Sequence, residues 1–185
     1  MDHTARPDVR IRNMTADDCA AVTRLRARGW RAAYTGLVPG TYLDAMERDI
    51  AEDTERRRAA LSRGGPLVNL VAEADGPGVI GWACYGPVQD PAAPPGRGEL
   101  YALYVAPERI GTGTGRALTA EVLARAAARG LTGLELWVLK ENTRARRFYE
   151  RAGFAADGTE ESFEADGVLV PEVRYVRAAA GEPVG

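Results

Sequence analysis

Histidine is almost missing from this chain, since the only copy is His3, near the polar start of the sequence. A Ser–His–Asp triad, a Cys–His pair or a histidine-rich metal site would therefore depend on a chain terminus, where residues are seldom well ordered. We expect no metal site. If the protein is an enzyme, its acid and base groups come from Glu, Asp, Tyr, Lys or Cys side chains.

Cysteine is also scarce, with Cys19 and Cys84 far apart in the sequence. They form no CxxC motif, so neither a zinc site nor a disulfide framework is indicated. Both lie in apolar surroundings. The pattern predicts two buried free thiols.

No charge sign dominates, and no long apolar run is present. The 24 lysine and arginine residues nearly balance 26 acidic residues, which argues against a nucleic-acid-binding protein. No apolar stretch approaches the length of a membrane span, and the first residues lack the apolar core of a signal peptide. We expect a cytoplasmic protein with no nucleic-acid and no membrane partner.

The 185 residues, of which 45% are hydrophobic, are typical of one globular domain. We assign residues 1–185 to a single domain with loose ends at about 1–7 and 179–185. The hydrophobic periodicity predicts the order β-α-α-β-β-β-α-β-α-β-β, which indicates an α/β sheet of mixed direction. The predicted strands are 9–13, 67–73, 79–85, 99–105, 133–139, 161–166 and 171–178, and the predicted helices are 16–34, 41–61, 116–130 and 142–154.

A glycine-rich loop, "IGTGTGRAL" from Ile110, follows one predicted strand and precedes a predicted helix. Such a loop presents free backbone N–H groups at a helix N-terminus, which is a favourable site for a phosphate group. Arg109 and Arg116 flank the loop and can add positive charge. The loop is therefore a candidate phosphate-binding site, although a glycine-rich turn without a ligand is the alternative.

Two common phosphate motifs do not fit this loop. A P-loop needs a lysine after its last glycine, but Gly115 is followed by Arg116 and Ala117. A dinucleotide-binding fingerprint needs GxGxxG and an acidic residue near the end of the next strand. Here the spacing is GxGxG, the next strand ends at Lys140, and Glu135 lies in mid-strand.

Two segments together resemble the GNAT superfamily of acetyl-CoA-dependent N-acetyltransferases: "ELYALYVAPERIGTGTGRAL" and, one helix and one strand later, "ENTRARRFYERAGF". The resemblance covers about residues 67–154 strongly and the whole chain in element order. It implies the GNAT fold, a mixed, mostly antiparallel sheet with a central strand splay, flanked by about four helices. The chain departs from the family where Ile110 replaces the usual Gln or Arg, with Arg109 one position early.

The resemblance also implies which residues bind acetyl-CoA. The pyrophosphate would lie on the glycine loop, and the pantetheine arm would pair with backbone groups of Leu103 and Val105. A backbone N–H of Tyr104 or Val105 would polarise the thioester carbonyl, and Asn142 and Tyr149 would line the far side. The loop residues so implied are Ile110, Gly111, Thr112, Gly113, Thr114, Gly115 and Arg116.

Candidate catalytic residues follow from the same resemblance. Tyr149 matches the family's tyrosine and is the candidate general acid; a packing aromatic beside Phe148 is the alternative. Glu99 opens the strand before the loop and is the candidate base, acting through water; a solvated strand-end carboxylate is the alternative. Tyr101 lies on the same strand face at a period of two, and we expect it to help shape the acceptor site together with Trp30 and Tyr34.

The end of the first helix supplies the candidate acceptor wall. Trp30 and Tyr34 are four residues apart there, in the region that borders the acceptor site of GNAT proteins, although core packing explains them equally well. A separate acidic group is interpreted as a solvated helix face that slightly favours a cationic acceptor. Its members are Glu47, Asp49, Glu52 and Asp53.

These observations favour an N-acetyltransferase that moves an acetyl group directly from acetyl-CoA to a primary amine. The partner would be a small-molecule amine or a protein amino group, and the resemblance also allows a homodimer. A catalytically inactive CoA-binding sensor or partner-binding module is the main alternative. A nucleotide-binding Rossmann protein is a third interpretation, which the loop spacing disfavours.

Overall fold

The computed structural model describes residues 9–74 and 78–178. The predicted loose ends at 1–7 and 179–185 lie outside the described residues. The strands are β1 (Arg10–Asn13), β2 (Val68–Glu73), β3 (Val79–Pro87), β4 (Arg97–Val105), β5 (Gly133–Leu139), β6 (Ala155–Ala165) and β7 (Val168–Ala178). The α-helices are α1 (Cys19–Tyr34), α2 (Gly40–Arg48), α3 (Ile50–Arg63), α4 (Thr114–Ala128) and α5 (Thr143–Arg151).

The strands of the described chain form one sheet in the order β1-β2-β3-β4-β5-β7-β6. Neighbouring strands are antiparallel except for β4 and β5, which are parallel. The strand that follows α5 therefore lies at the edge, and β7 returns to pair with β5. This confirms the predicted mixed, mostly antiparallel sheet.

The predicted second helix, 41–61, is in fact two helices, α2 and α3. Asp49 ends the first and begins the second, with φ −92° and ψ 13°, outside the helical region. No proline or glycine marks the break in the sequence, and the charged residues around it have good helix propensity. The described chain consequently has five α-helices where about four were expected.

Hydrogen bonds between Thr15, Asp18 and Arg12 hold the start of the first helical segment. The Thr15 backbone N–H donates to Asp18 Oδ2 at 2.8 Å, and Arg12 Nη1 donates to the same oxygen at 2.7 Å. The hydrogen bond from Arg12 lowers the pKa of Asp18 to about 2. A short 3₁₀ turn over Ala16–Asp18 precedes α1, so the α-helix starts later than predicted.

Both faces of the sheet are covered. On one face α4 buries Leu118, Val122 and Ala126 against strands β2 to β5. On the other face α1 packs Cys19, Val22 and Leu25 against Val71 and Trp82, and both cysteines are buried free thiols as predicted. In the described residues no helix combines the length and apolar character needed to cross a membrane.

Candidate active site

The centre of the sheet opens between β4 and β5. The two strands pair only at Arg97 with Gly133, Gly98 with Leu134 and Glu99 with Glu135. Beyond Glu99, β4 continues to Val105 without a strand partner on that side among the described residues. This is the predicted central splay, and it leaves backbone N–H and C=O groups of β4 available to an extended ligand.

The glycine loop lies at the wide end of this opening. Gly111 and Gly113 have φ values of 84° and 98°, a left-handed region that side chains with a Cβ rarely occupy. Gly113 is the residue just before α4, and its carbonyl accepts the first helical hydrogen bond, from the Ala117 N–H at 2.9 Å. A Cβ on Gly115 would stand 3.4 Å from the Phe148 ring and 3.5 Å from Val105 Cγ2, so α4 starts directly against the end of β4.

The loop offers several free donors. Five backbone N–H groups of this loop have no hydrogen-bond acceptor in the described part of the chain. They are those of Gly111, Gly113, Thr114, Gly115 and Arg116. The Arg116 side chain lies over the loop, with Nη2 3.9 Å from the position of a Cβ on Gly113. The Thr112 hydroxyl, in contrast, donates to the Arg109 carbonyl at 2.7 Å, and Ile110 is 41% exposed. The groups of the loop that are available to an anion are therefore backbone amides and one guanidinium.

A cavity of about 280 Å³ lies beside the splay, under the end of α1. It brings together four of the predicted catalytic and acceptor residues, Trp30, Tyr34, Glu99 and Tyr101. The remaining lining residues are Leu100, Tyr104, Trp137, Leu139, Glu161 and Glu172. Tyr149 is not among the lining residues.

A β-bulge in β4 adds a side chain to this cavity. Cys84 pairs with Ala102 and Tyr85 with Leu100, so Tyr101 is the extra residue. After the bulge the alternation is shifted: Leu103 packs on the α4 side, and Tyr104 packs on the α1 side. The sequence pointed to Tyr104 for its backbone alone, but its side chain lines the cavity and its hydroxyl accepts a 2.7 Å hydrogen bond from Trp30 Nε1.

Glu99 is half-buried at the point where the strands separate. Burial, and then the neighbouring carboxylate of Glu135, raise the pKa of Glu99 to about 7. A carboxyl group with this pKa is matched to proton transfer near neutral pH, and perturbed carboxyls of this kind cluster at functional sites. Tyr101, on the same wall, donates its hydroxyl proton to the Pro87 carbonyl at 2.7 Å.

Sequence reasoning missed two further carboxylates of the cavity. Glu161 on β6 lies directly opposite Glu172 on β7, and Glu172 in turn lies opposite Leu139 on β5. Burial, and then the charge of Glu161, raise the pKa of Glu172 to about 7. No local motif marks these residues, because only the return of β7 to the centre of the sheet brings them next to Glu99.

The acidic group that the sequence did single out lies elsewhere, on α2 and α3. Each of its four carboxylates forms an ion pair with an arginine, as on a solvated helix face. The pairs are Arg31 with Glu47 at 2.9 Å, Arg48 with Asp49 at 3.4 Å, Arg56 with Glu52 at 3.5 Å, and Arg56 with Asp53. The negative charge near the cavity therefore comes from the strands and not from these helices.

Tyr149 lies behind the cavity on α5. Its ring packs edge-to-face against two phenylalanines, with ring centres 5.2 Å apart for Phe148 and 5.9 Å apart for Phe154. Burial, and then the nearby Tyr104, raise the pKa of Tyr149 well above its usual value. Burial also raises the pKa of Tyr34, with smaller effects from Tyr104 and Tyr149, so the three phenols lie close together.

Asn142 marks the start of α5. Its Oδ1 accepts a hydrogen bond from the Ala145 N–H at 3.1 Å, so Asn142 is the N-cap of the helix. It also lies near the Tyr34 hydroxyl, where hydrogen bonding opposes the rise in the pKa of that phenol. Asn142 and Tyr149 thus sit on the side of the splay opposite the glycine loop's strand.

The cysteines offer no reactive thiolate. Cys84 lies on the neighbouring strand, and burial raises its pKa to about 11. Burial raises the pKa of Cys19 as well. A thiol must ionise to act as a nucleophile, so neither side chain is suited to carry an acyl group near neutral pH.

A second cavity, of about 420 Å³, lies near the C-terminal end of α4. It is more open, mainly apolar in its lining, and contains no carboxylate. Its polar groups include Asn13, Asn69, Arg125 and Arg129, with Tyr85 at its floor. None of the predicted site residues is there, so the carboxylate-lined cavity beside the splay is the candidate active site.

Known proteins are similar to this chain in sequence and in fold. The sequence model of the acetyltransferase (GNAT) family matches residues 27–154. A "probable N-acetyltransferase" of Mycobacterium tuberculosis is 32% identical over 171 residues, covering 91% of this chain and 92% of the relative. An "uncharacterized N-acetyltransferase" of Bacillus subtilis is 28% identical over 165 residues, covering 89% and 90%.

Among solved structures, the PaiA N-acetyltransferase of Thermoplasma acidophilum, crystallised in complex with coenzyme A, has the same fold. The TM-score is 0.72 at 18% sequence identity, over 92% of this chain and 99% of that one. The splay and the glycine loop of the described chain accordingly belong to a known architecture. The chain belongs to the acetyltransferase (GNAT) family.

Proposed function

We propose that the protein transfers an acetyl group from acetyl-CoA directly to a primary amine of a small-molecule acceptor. The observation that carries the proposal is the position of Glu99, a carboxyl with a pKa of about 7, between the opened strands and the cavity. The half-enclosed cavity, of about 280 Å³, suits a small molecule better than a folded protein surface.

The described residues fit acetyl-CoA. The free N–H groups of the glycine loop and the Arg116 guanidinium suit a pyrophosphate. The unpaired edge of β4, at Leu103 and Val105, suits the amide groups of the pantetheine arm. When bound there, acetyl-CoA supplies an activated acetyl group on a thiol, a leaving group with a pKa of about 8.5.

Glu99 would act as the general base. An alkylamine has a pKa of about 10.4, so at neutral pH it arrives mostly as an ammonium ion and cannot attack. Glu99 accepts the proton directly or through one water, and the free amine then forms the new N–C bond as the C–S bond breaks. The aromatic walls, including Trp30 and Tyr34, limit the access of bulk water.

Tyr149 would act as the general acid. Its raised pKa keeps the hydroxyl protonated near neutral pH, so it can donate a hydrogen bond to the sulfur as negative charge develops there. The backbone N–H of Val105, on the unpaired side of β4, would polarise the carbonyl, as a donor in an oxyanion hole does; the N–H of Tyr104 is directed at β3. The raised pKa values of Cys84 and Cys19 support direct transfer without an acyl-enzyme.

The test measures thiol release from acetyl-CoA with a panel of primary amines, together with thermal unfolding. We expect amine-dependent thiol release, and acetyl-CoA at a hundred times its Kd should stabilise the protein by about 2.7 kcal/mol. NADH at the same concentration should stabilise it much less. Stabilisation without turnover of any small amine or peptide N-terminus would favour a CoA-binding module, and equal stabilisation by NADH would refute the CoA site.

A further inference from the structure

The cavity carries more negative charge than one catalytic base requires. Glu99, Glu161 and Glu172 all line it, and among the described residues none of the three forms an ion pair. Two guanidinium groups lie beside its aromatic walls: Arg174 is already engaged by Asp157 at 2.7 Å and by Glu135 at 3.9 Å, and Arg26 lies 5.4 Å from the centre of Trp30. None of the three carboxylates is therefore neutralised by a direct ion pair with a described side chain.

Glu161 and Glu172 are an unfavourable arrangement in the free protein. They lie directly opposite each other on β6 and β7, where like charges destabilise a sheet. Glu172 is half-buried, and Glu161 is exposed at the edge of the cavity. A positive charge placed between them would remove the repulsion that the described residues leave uncompensated.

The walls of the cavity suit an organic cation. Trp30, Tyr34 and Trp137 line it, and aromatic rings attract ammonium groups. Arg26 lies 5.4 Å from the centre of Trp30, and Arg174 lies 5.8 Å from that of Trp137, so two of these rings already have cations beside them. In the described residues no three metal-ligating side chains come close enough together to hold a metal ion.

We propose that the acceptor is a diamine, with one amine at Glu99 and the second, unreacted ammonium between Glu161 and Glu172. The inference rests on the proposed function and assigns the substrate class of that same cavity. The volume of about 280 Å³ corresponds to ~9 water molecules, which is enough for a short linear diamine. Glu161 and Glu172 are then specificity residues and take no part in proton transfer.

The test uses three acceptors of equal chain length that differ in the charge at the far end: 1,4-diaminobutane, butylamine and 4-aminobutanoate. We measure kcat/KM for each at saturating acetyl-CoA and one pH. The diamine should exceed butylamine by about tenfold or more, the usual effect of hydrogen bonds to a charged group. The aminobutanoate should be the poorest acceptor, because its carboxylate would face Glu161 and Glu172.

Variants assign the effect to the two residues. Glu172→Gln should reduce the preference for the diamine over butylamine to within about threefold, mainly through KM. Glu161→Lys, at an exposed position that accommodates a lysine, should raise 4-aminobutanoate relative to the diamine. Glu164→Gln is the matched control: it removes one exposed charge from the same strand, outside the cavity, and should keep the wild-type order.

Calorimetric titration of 1,4-diaminobutane into the protein with coenzyme A present gives a readout that does not need turnover. Binding should be weakened about tenfold by Glu172→Gln and should be unaffected by Glu164→Gln. If amines are acetylated but the diamine and butylamine are equivalent, the diamine inference is wrong and the proposed function stands. If no amine is acetylated, the proposed function is wrong, and failure of the diamine to bind would overturn the inference separately.

Discussion

Glu99 lies opposite Glu135 at the last paired position of β4 and β5, and the two strands separate immediately beyond it. The Glu135 side chain is only 8% exposed, and its nearest cation, Arg174 Nη1, is 3.9 Å away. Two carboxylates thus share the closed end of the splay. After burial, the charge of Glu135 is the second cause of the raised pKa of Glu99.

Glu135→Gln should shift the pH dependence of acetyl transfer toward lower pH. A base works in its unprotonated form, so wild-type activity should rise with pH through the pKa of Glu99, about 7. Removing the neighbouring charge lowers that pKa only in part, because burial is the larger cause. The measurement is kcat/KM against pH with one acceptor for both proteins, so that the titration of the amine is common to the two curves. If the midpoint of the pH–rate profile is the same in both proteins, the charge of Glu135 does not influence the pKa of the base.

Glu99→Gln tests the base itself. The rate near neutral pH should fall by roughly 10²-fold, the low end of general-base contributions. Raising the pH should recover part of the loss, because more of the amine is then free without assistance. Affinity for acetyl-CoA should stay close to the wild-type value. If the pH–rate profile of Glu99→Gln has the same shape and magnitude as that of the wild type, Glu99 is not the base. Glu172 would then be the next candidate.

Tyr149→Phe tests the general acid, since it keeps the ring and removes the hydroxyl. Turnover should fall by roughly 10²-fold, while the Kd for acetyl-CoA changes little. Pre-steady-state thiol release at saturating amine measures the affected step. Tyr85→Phe is the matched control, because it removes a phenolic hydroxyl that lies away from the splay cavity. Full turnover in Tyr149→Phe would indicate that water protonates the leaving thiolate.

Tyr85→Phe, the control variant above, should also change the stability of the protein. The hydroxyl of Tyr85 is buried and has no hydrogen-bond partner in the described structure. A buried polar group without a partner costs free energy, so Tyr85→Phe should raise the free energy of unfolding by about 1 kcal/mol. Chemical denaturation measures this directly. A clear loss of stability would indicate that the hydroxyl has a partner, such as an ordered water.

The sequence predicts this fold well where signals are local. The strand over residues 133–139 has the predicted bounds, and the β4 splay follows from the GNAT resemblance. The break at Asp49 was missed because helix propensity is continuous there and only tertiary packing decides where α2 ends.

The site was predicted less completely, for reasons of register and topology. A strict period of two places Glu99 and Tyr101 on one face but puts Tyr104 on the other; the bulge at Tyr101 reverses that. Glu161 and Glu172 reach the cavity only because β7 pairs with β5 and β6 lies outside it. Such long-range strand order leaves no mark on the local sequence pattern.

Glu172→Gln should stabilise the protein at pH 8 and not at pH 4. The carboxyl of Glu172 loses its proton near pH 4.5 when unfolded and near pH 7 when folded. The folded state therefore loses stability as the pH rises through this window, and the loss is complete above pH 7. The amide has no such titration. Melting temperatures of both proteins at the two pH values, without ligand, measure the difference. An equal difference at both pH values would contradict the raised pKa.

Gly113→Val should abolish acetyl-CoA binding while the fold survives. With φ at 98°, Gly113 lies in a region where a side chain costs about 1–2 kcal/mol or more, and a branched side chain costs most. The new side chain would also stand beside free amides of the loop, toward Arg116. Gly158→Val is the matched control, because Gly158 has φ 87° and open space around it on β6. Both variants should melt at a lower temperature by a similar amount, but only the Gly158 variant should still be stabilised by acetyl-CoA. Normal acetyl-CoA binding by a folded Gly113→Val protein would mean that the glycines form a turn without a ligand.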